Sequence, residues 1–198
     1  MVEKDPEAYK QAVIATQEAS LSGKLPVYAN ASMLRVAHEI RRRGGVNTVI
    51  SDGEKSRLVK MIHQISNGNS PFEEENIRSS LPVGSKKDPN TWYKIFQNMG
   101  INKGDRFYGV EDTEANAIAM AQAARQVGVT ATVYLLDNRL SPNQAVKDSK
   151  NGITRIGSAE YLEAKVQRHT SYAAKTSSRE PAAVAALFIV SLALLEFL

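Results

Sequence analysis

The sequence predicts a helix-rich α/β fold in which strand–helix–strand units surround a small, mostly parallel sheet, with N- and C-terminal helices. A predominantly α fold is the alternative. Short apolar runs flank a helical pattern twice, over Leu25–Ile50 and over Arg106–Leu136. The two units end in similar segments, GVNTVISD and GVTATVYLLD, although eight residues are too few to establish a duplication. A crossover of this kind normally joins neighbouring parallel strands. The chain has 198 residues, 42% hydrophobic and 23% charged, enough for one core and too apolar for wholesale disorder.

In order along the chain, Asp5 and Pro6 open the first helix as cap and first-turn proline, and Gly23 closes it. Leu25–Ala29 is a short apolar run followed by Asn30 or Ser32 as a cap. Met33, Val36, Ala37 and Ile40 then share one helical face until Gly44 and Gly45 stop the helix. Val46–Ile50 reads as a strand ending at Ser51 and Asp52. Lys55–Ser66 is an amphipathic helix with Leu58, Met61, Ile62 and Ile65 inward. FEEENIRSS predicts one or two helical turns and SLPVGSKKDPN an exposed loop. Asp88-Pro89 then opens a helix bearing the single tryptophan, Trp92, beside Ile95, Phe96 and Met99. The second unit has Asp112 as cap, Ala117, Met120, Ala121 and Ala124 on its helix, Gly128 as stop and Val129–Leu136 as the best strand. Asn138–Gly157 is polar and turn-rich, and Ser158 caps a helix to about Thr170.

The last seventeen residues, Ala182–Leu198, are apolar on every side of a helix except at Ser191 and Glu196. A helix of that length spans about 25 Å, just short of a bilayer core. Leu187, Phe188, Ile189, Val190, Leu192, Leu194 and Leu195 would be hidden in lipid, in the core or in a partner subunit. The expected organisation is therefore a globular domain over residues 1–169, a polar spacer over 170–181 and an apolar helix over 182–198.

Chemical motifs are sparse. With no cysteine, disulfides, thiol nucleophiles and thiolate metal sites are excluded. The acidic, proline-containing start does not match a secretory signal, so the expected location is intracellular, in the cytoplasm or within an assembled particle. Gly53-Glu54-Lys55-Ser56 puts an acid where a phosphate loop needs its lysine, and no dinucleotide fingerprint follows either strand. His38, His63 and His169 fall on three separate helices, which gives no metal-ligand pattern. The expected strands end at Asp52, at Glu111 and Asp112, and at Asp137. The carboxylates Asp52, Asp112 and Asp137 are thus the alternative Mg²⁺ ligands for phosphate chemistry at the carboxyl edge of the sheet. Their bland reading is as turn and cap residues.

Net charge is +4, and from Arg139 to Arg179 eight Lys or Arg face three Asp or Glu. Arg35, Arg41, Arg42, Arg43, Lys86, Lys87 and Arg168 are the candidate contacts to nucleic-acid phosphate, without any motif for reading sequence. By elimination the expectation is a non-catalytic assembly subunit of coat, nucleocapsid or scaffold type. It would be a homo-oligomer touching nucleic acid and needing no cofactor. Two alternatives stand beside it: a tail-anchored membrane protein with a cytosolic domain, and a Mg-dependent phosphate- or nucleotide-handling α/β enzyme.

Overall fold

The computed structural model describes residues 6–24, 27–166, 186–190 and 195–197. Its centre is a seven-stranded sheet in the order β3-β2-β8-β4-β5-β7-β6. The strands are β2 (Val46–Ser51), β3 (Ile77–Ser79), β4 (Arg106–Glu111), β5 (Thr130–Leu136), β6 (Ala145–Asp148), β7 (Ile153–Ile156) and β8 (Ala186–Val190). Every neighbouring pair is parallel except β6 with β7. A separate ribbon pairs β1 (Val27–Ala29) antiparallel with β9 (Leu195–Phe197).

Helices cover both faces, as a parallel sheet requires. On one face lie α2 (Ala31–Arg42), α3 (Lys55–Ile65) and α6, helical over residues 159–166. Met33, Val36, Leu58, Ile62 and Leu162 pack there with Val49, Ile77, Val110 and Tyr134 of the strands. On the other lie α4 (Pro89–Asn98) and α5 (Glu114–Val127), with Trp92, Phe96 and the α5 alanines against Ile50, Phe107, Val133 and Leu135. Alanines let α5 come close. A Cβ on Gly109 of β4 would sit 2.2 Å from the sulfur of the fully buried Met120, so only glycine leaves room for that approach. The first helix, α1 (Pro6–Leu21), packs on α3, tied by Arg57 to Glu18 at 2.8 Å.

Several expectations hold. Asn30 Oδ1 accepts the Met33 amide and Asp88 accepts that of Asn90, as N-caps do. The second unit forms neighbouring parallel strands, with Arg106 opposite Thr130. Others need correcting. The strands of the first unit are not neighbours, because β1 leaves to pair with β9. The cap of α5 is Thr113, not Asp112, and its side chain makes no capping bond. Ile77–Ser79 and the β6–β7 hairpin are strands where turns and loops were expected.

The largest correction concerns the helix expected over Ala182–Leu198. Leu187, Phe188, Ile189 and Val190 belong to β8, which runs between β2 and β4, and Leu195 belongs to β9. Leu192 and Leu194 lie outside the described residues, as do Arg168, the 170–181 spacer and the Asp5 cap. A continuous apolar run suits a strand buried on two faces as well as a helix buried on all sides. The β-branched and aromatic LFIV segment tips it to strand. Among the described residues no helix is long and apolar enough to cross a membrane.

Because β8 supplies the hydrogen-bonding partner for both β2 and β4, a chain ending at Pro181 is expected to lose cooperative urea unfolding altogether. Circular dichroism across a urea titration of both chains checks this.

Candidate functional site

The basic residues proposed for nucleic acid come first, since the fold gives most of them other tasks. Arg35 pairs with Glu163 at 2.6 Å and so fastens α2 to α6. Arg41 pairs with Glu73 and donates to the Ser70 carbonyl at 3.0 Å. Arg42 and Arg43 both grip Glu39, at 2.7 and 2.8 Å. Their hydrogen bonds, that of Arg42 foremost, hold the Glu39 carboxyl down at about 2 against an ordinary 4.5. Lys87 stays exposed on its loop. Lys86 does not: it is 4% exposed, with Nζ 3.6 Å from Glu111 Oε1. The segment around it is the largely exposed loop expected, but Lys86 itself turns inward, and Trp92 Nε1 donates to the Lys86 carbonyl at 2.7 Å.

Glu111 ends β4 and is fully buried, receiving Asn116 Nδ2 at 3.3 Å from the first turns of α5. Nothing in the local sequence separates it from Asp112 beside it. Strand alternation does, sending Glu111 toward α4 and α5 and leaving Asp112 exposed.

The carboxyl edge of the parallel strands gathers most of the remaining polar side chains. After β2, Ser80 donates its hydroxyl to Asp52 and its amide to the Ser51 carbonyl at 2.8 Å, closing the ends of β2 and β3 together. Gln17 of α1 lies directly over Gly53, where a Cβ would fall 1.8 Å from Nε2. Toward the other end of the sheet, a cavity of about 530 Å³ opens above β4, β5 and β7. Asn30, Asp112, Glu114, Asp137, Arg139 and Ser158 contribute to its wall. Asp112 and Asp137 therefore share one cavity, whereas Asp52 is not among its lining residues. Among the described residues no group of three acids or histidines is placed to hold a metal ion.

Asp137 is 7% exposed and accepts from Nε and Nη2 of Arg139, each at 2.7 Å, and from Arg155 at 3.3 Å. The Arg139 hydrogen bond, above all, keeps its carboxyl well below the usual carboxylate range. Arg155 also pairs with Glu114 and reaches Asp148 at 3.6 Å. These residues form a braced wall. Sequence reading missed Arg139, although it reaches back only two residues to Asp137. It missed Arg155 because Asp137, Glu114 and Asp148 lie on other elements, and the pairing of β5 with β7 brings Arg155 to Asp137.

Three helices begin at this cavity: α2 at Asn30, α5 after Thr113 and α6 after Ser158. Asn30 caps its helix, but Thr113 gives the first turn of α5 no side-chain capping bond. Its amides and the positive end of its dipole face the acid-lined opening. The chain also leaves β2 toward β3 and leaves β4 toward β5, so strand order diverges around β8. The carboxyl ends beside such a divergence are where open α/β sheets bind ligands.

Glu111→Ala, which removes the carboxylate beside the buried Lys86 ammonium, is expected to cost about 3–5 kcal/mol in urea unfolding. Pairing Glu111→Leu with Lys86→Met should recover most of that loss. The Glu39 cluster makes an acid-side prediction. Because its folded pKa is depressed, its contribution is present above pH 4.5 and fades as pH falls through about 2. Wild type and Glu39→Gln should converge in stability over that window. The gap above it is modest, since Arg42 is exposed and screened.

Comparison with protein-family models, with curated proteins and with solved structures gives no match to this chain in any of the three.

Proposed function

We propose that the chain binds and acts on a nucleotide or another phosphorylated small molecule at the carboxyl edge of its sheet. The observation that carries this is the cavity over the ends of β4 and β5, set against the uncapped start of α5. At about 530 Å³ it has the size of a small-molecule site. An anionic group fits the amides of the α5 first turn. The acids on the wall then need a cation between them and the phosphate. Mg²⁺ arriving with the ligand meets that need through one or two carboxylates and the phosphate oxygens. Asp112 is the exposed carboxylate placed for it, with Asp137 fixed beside it by Arg139 and Arg155.

Titration of ADP and ATP, each with Mg²⁺, by calorimetry should show one site per chain. Asp112→Asn should weaken it at least tenfold, and Arg42→Ala should leave it unchanged. Absence of binding by nucleotides and by sugar phosphates at millimolar concentration overturns the reading.

A second reading, self-assembly, keeps one supporting observation now that Ala186–Val190 is a strand within the sheet. Strand β6 ends the sheet order, with Val146 42% exposed, and an open edge of this kind accepts a strand from another copy. A monomeric solution mass at high concentration removes it.

A further inference from the structure

The opposite edge of the sheet holds a second, smaller cavity of about 230 Å³, where β2 and β4 begin. Val46, Thr48, Arg78, Gly100, Asp105 and Arg106 are among its lining residues. Thr48 and Ile50 share a face of β2 by the two-residue period of a strand, and Arg78 of β3 stands in register with Ile50. Both polar side chains therefore project on the α4–α5 face, beneath the turn that ends α4.

Two of their atoms are unusual. Thr48 is fully buried, yet among the described residues its Oγ1 has no hydrogen-bond partner, and neither has the buried Nε of Arg78. Buried polar atoms are almost always paired, and an unpaired donor on a charged group is more costly than one on a neutral group. Here two of them meet on one cavity. A hydroxyl and a guanidinium N–H both donate, so an acceptor suits them. Arg106, exposed at the start of β4, is also a lining residue, at the mouth of the pocket and alternating to the sheet face opposite Phe107. Asp105 is the one carboxylate among the described lining residues, and its Oδ2 already accepts the Asn102 amide at 2.8 Å. The last carbonyls of α4 are taken by the amides of Met99, Gly100 and Ile101, which lessens their repulsion of an anion.

We propose that this pocket is an oxyanion site that holds a phosphate or sulfate group on Arg78 and Thr48, with the positive charge of Arg106 at its mouth. Its volume lies below the ~300–1,000 Å³ of pockets for larger ligands, which favours inorganic phosphate or a small phosphomonoester over a nucleotide. It lies at the other end of the strands from the large cavity, about 20 Å away at ~3.3 Å per residue. It is independent of the function proposed for that edge.

Inorganic phosphate, titrated at constant ionic strength and followed by calorimetry and ³¹P line width, tests it. Constant ionic strength matters because phosphate and sulfate also stabilise proteins by exclusion from the surface. The full chain should bind one phosphate. Arg78→Gln should weaken binding at least tenfold and Thr48→Val about fivefold, the worth of one net hydrogen bond. Arg106→Gln, at an exposed position, should also weaken binding and carries the test if Arg78→Gln does not fold. Binding of glycerol phosphate without binding of inorganic phosphate supports the site and identifies an ester as its ligand. The proposal is overturned if the full chain binds neither at millimolar concentration. It is equally overturned if Arg78→Gln and Arg106→Gln both bind as the unaltered chain does.

Discussion

Everything in this fold depends on the ladder that β8 makes on both its sides. Val46 to Val49 pair with Leu187 to Val190, and these pair onward with Phe107 to Val110. Without that strand, β2 with β3 and β4 with β5 would be two fragments, each with an open parallel edge. With it, one sheet carries two hydrophobic layers, and a single row of carboxyl ends runs from Ser79 to Ile156. The polar carboxyl edge is continuous because an apolar segment joins β2 to β4 within the sheet.

Charge is distributed by the same constraint. Residues on the helices outside the sheet find partners across element boundaries, as Arg35 does with Glu163 and Arg57 with Glu18. These pairs are largely exposed and contribute little stability singly, so they orient helices more than they hold them. The Lys86–Glu111 pair is different in kind, because both groups are withdrawn from water and a hydrophobic pair of similar shape would serve stability as well. Its retention at the end of a central strand, one residue from the cavity wall, is the pattern expected where polar groups serve chemistry.

Much of the fold was legible in the residues. Caps at Asn30 and Asp88, glycine stops, and the period of α2, α3 and α4 are local signals, and the structure follows them. Neighbouring parallel strands in the second unit followed from a crossover of sufficient length. What was not legible depends on partners distant in the chain. Ala186–Val190 is apolar on both faces, which leaves helix and strand indistinguishable by periodicity until β2 and β4 are known to flank it. Ile77–Ser79 and Ile153–Ile156 are too short and too polar to announce themselves, and become strands only by pairing with β2 and β5. In the site, Asp112 and Asp137 were visible as strand-end acids, but Asp52 is separated from them by the inserted strand. Lys86 looked like a loop cation because no local feature shows that Glu111 lies behind it.

The central position of β8 also governs how the protein is made. Residues 186–190 leave the ribosome after every other strand of the seven-stranded sheet, yet they occupy a place inside it. Until then β2 and β4 expose ladder groups and apolar faces toward a gap, and any strand of suitable pattern competes for it. Completion of the seven-stranded sheet therefore waits on the pairing of β2 with β8, its most non-local one, which carries a large loop-closure cost and slows the final step. Before residues 186–190 are made, the strand order allows at most two half-sheets, which places the exposure to aggregation in the interval before β8 arrives.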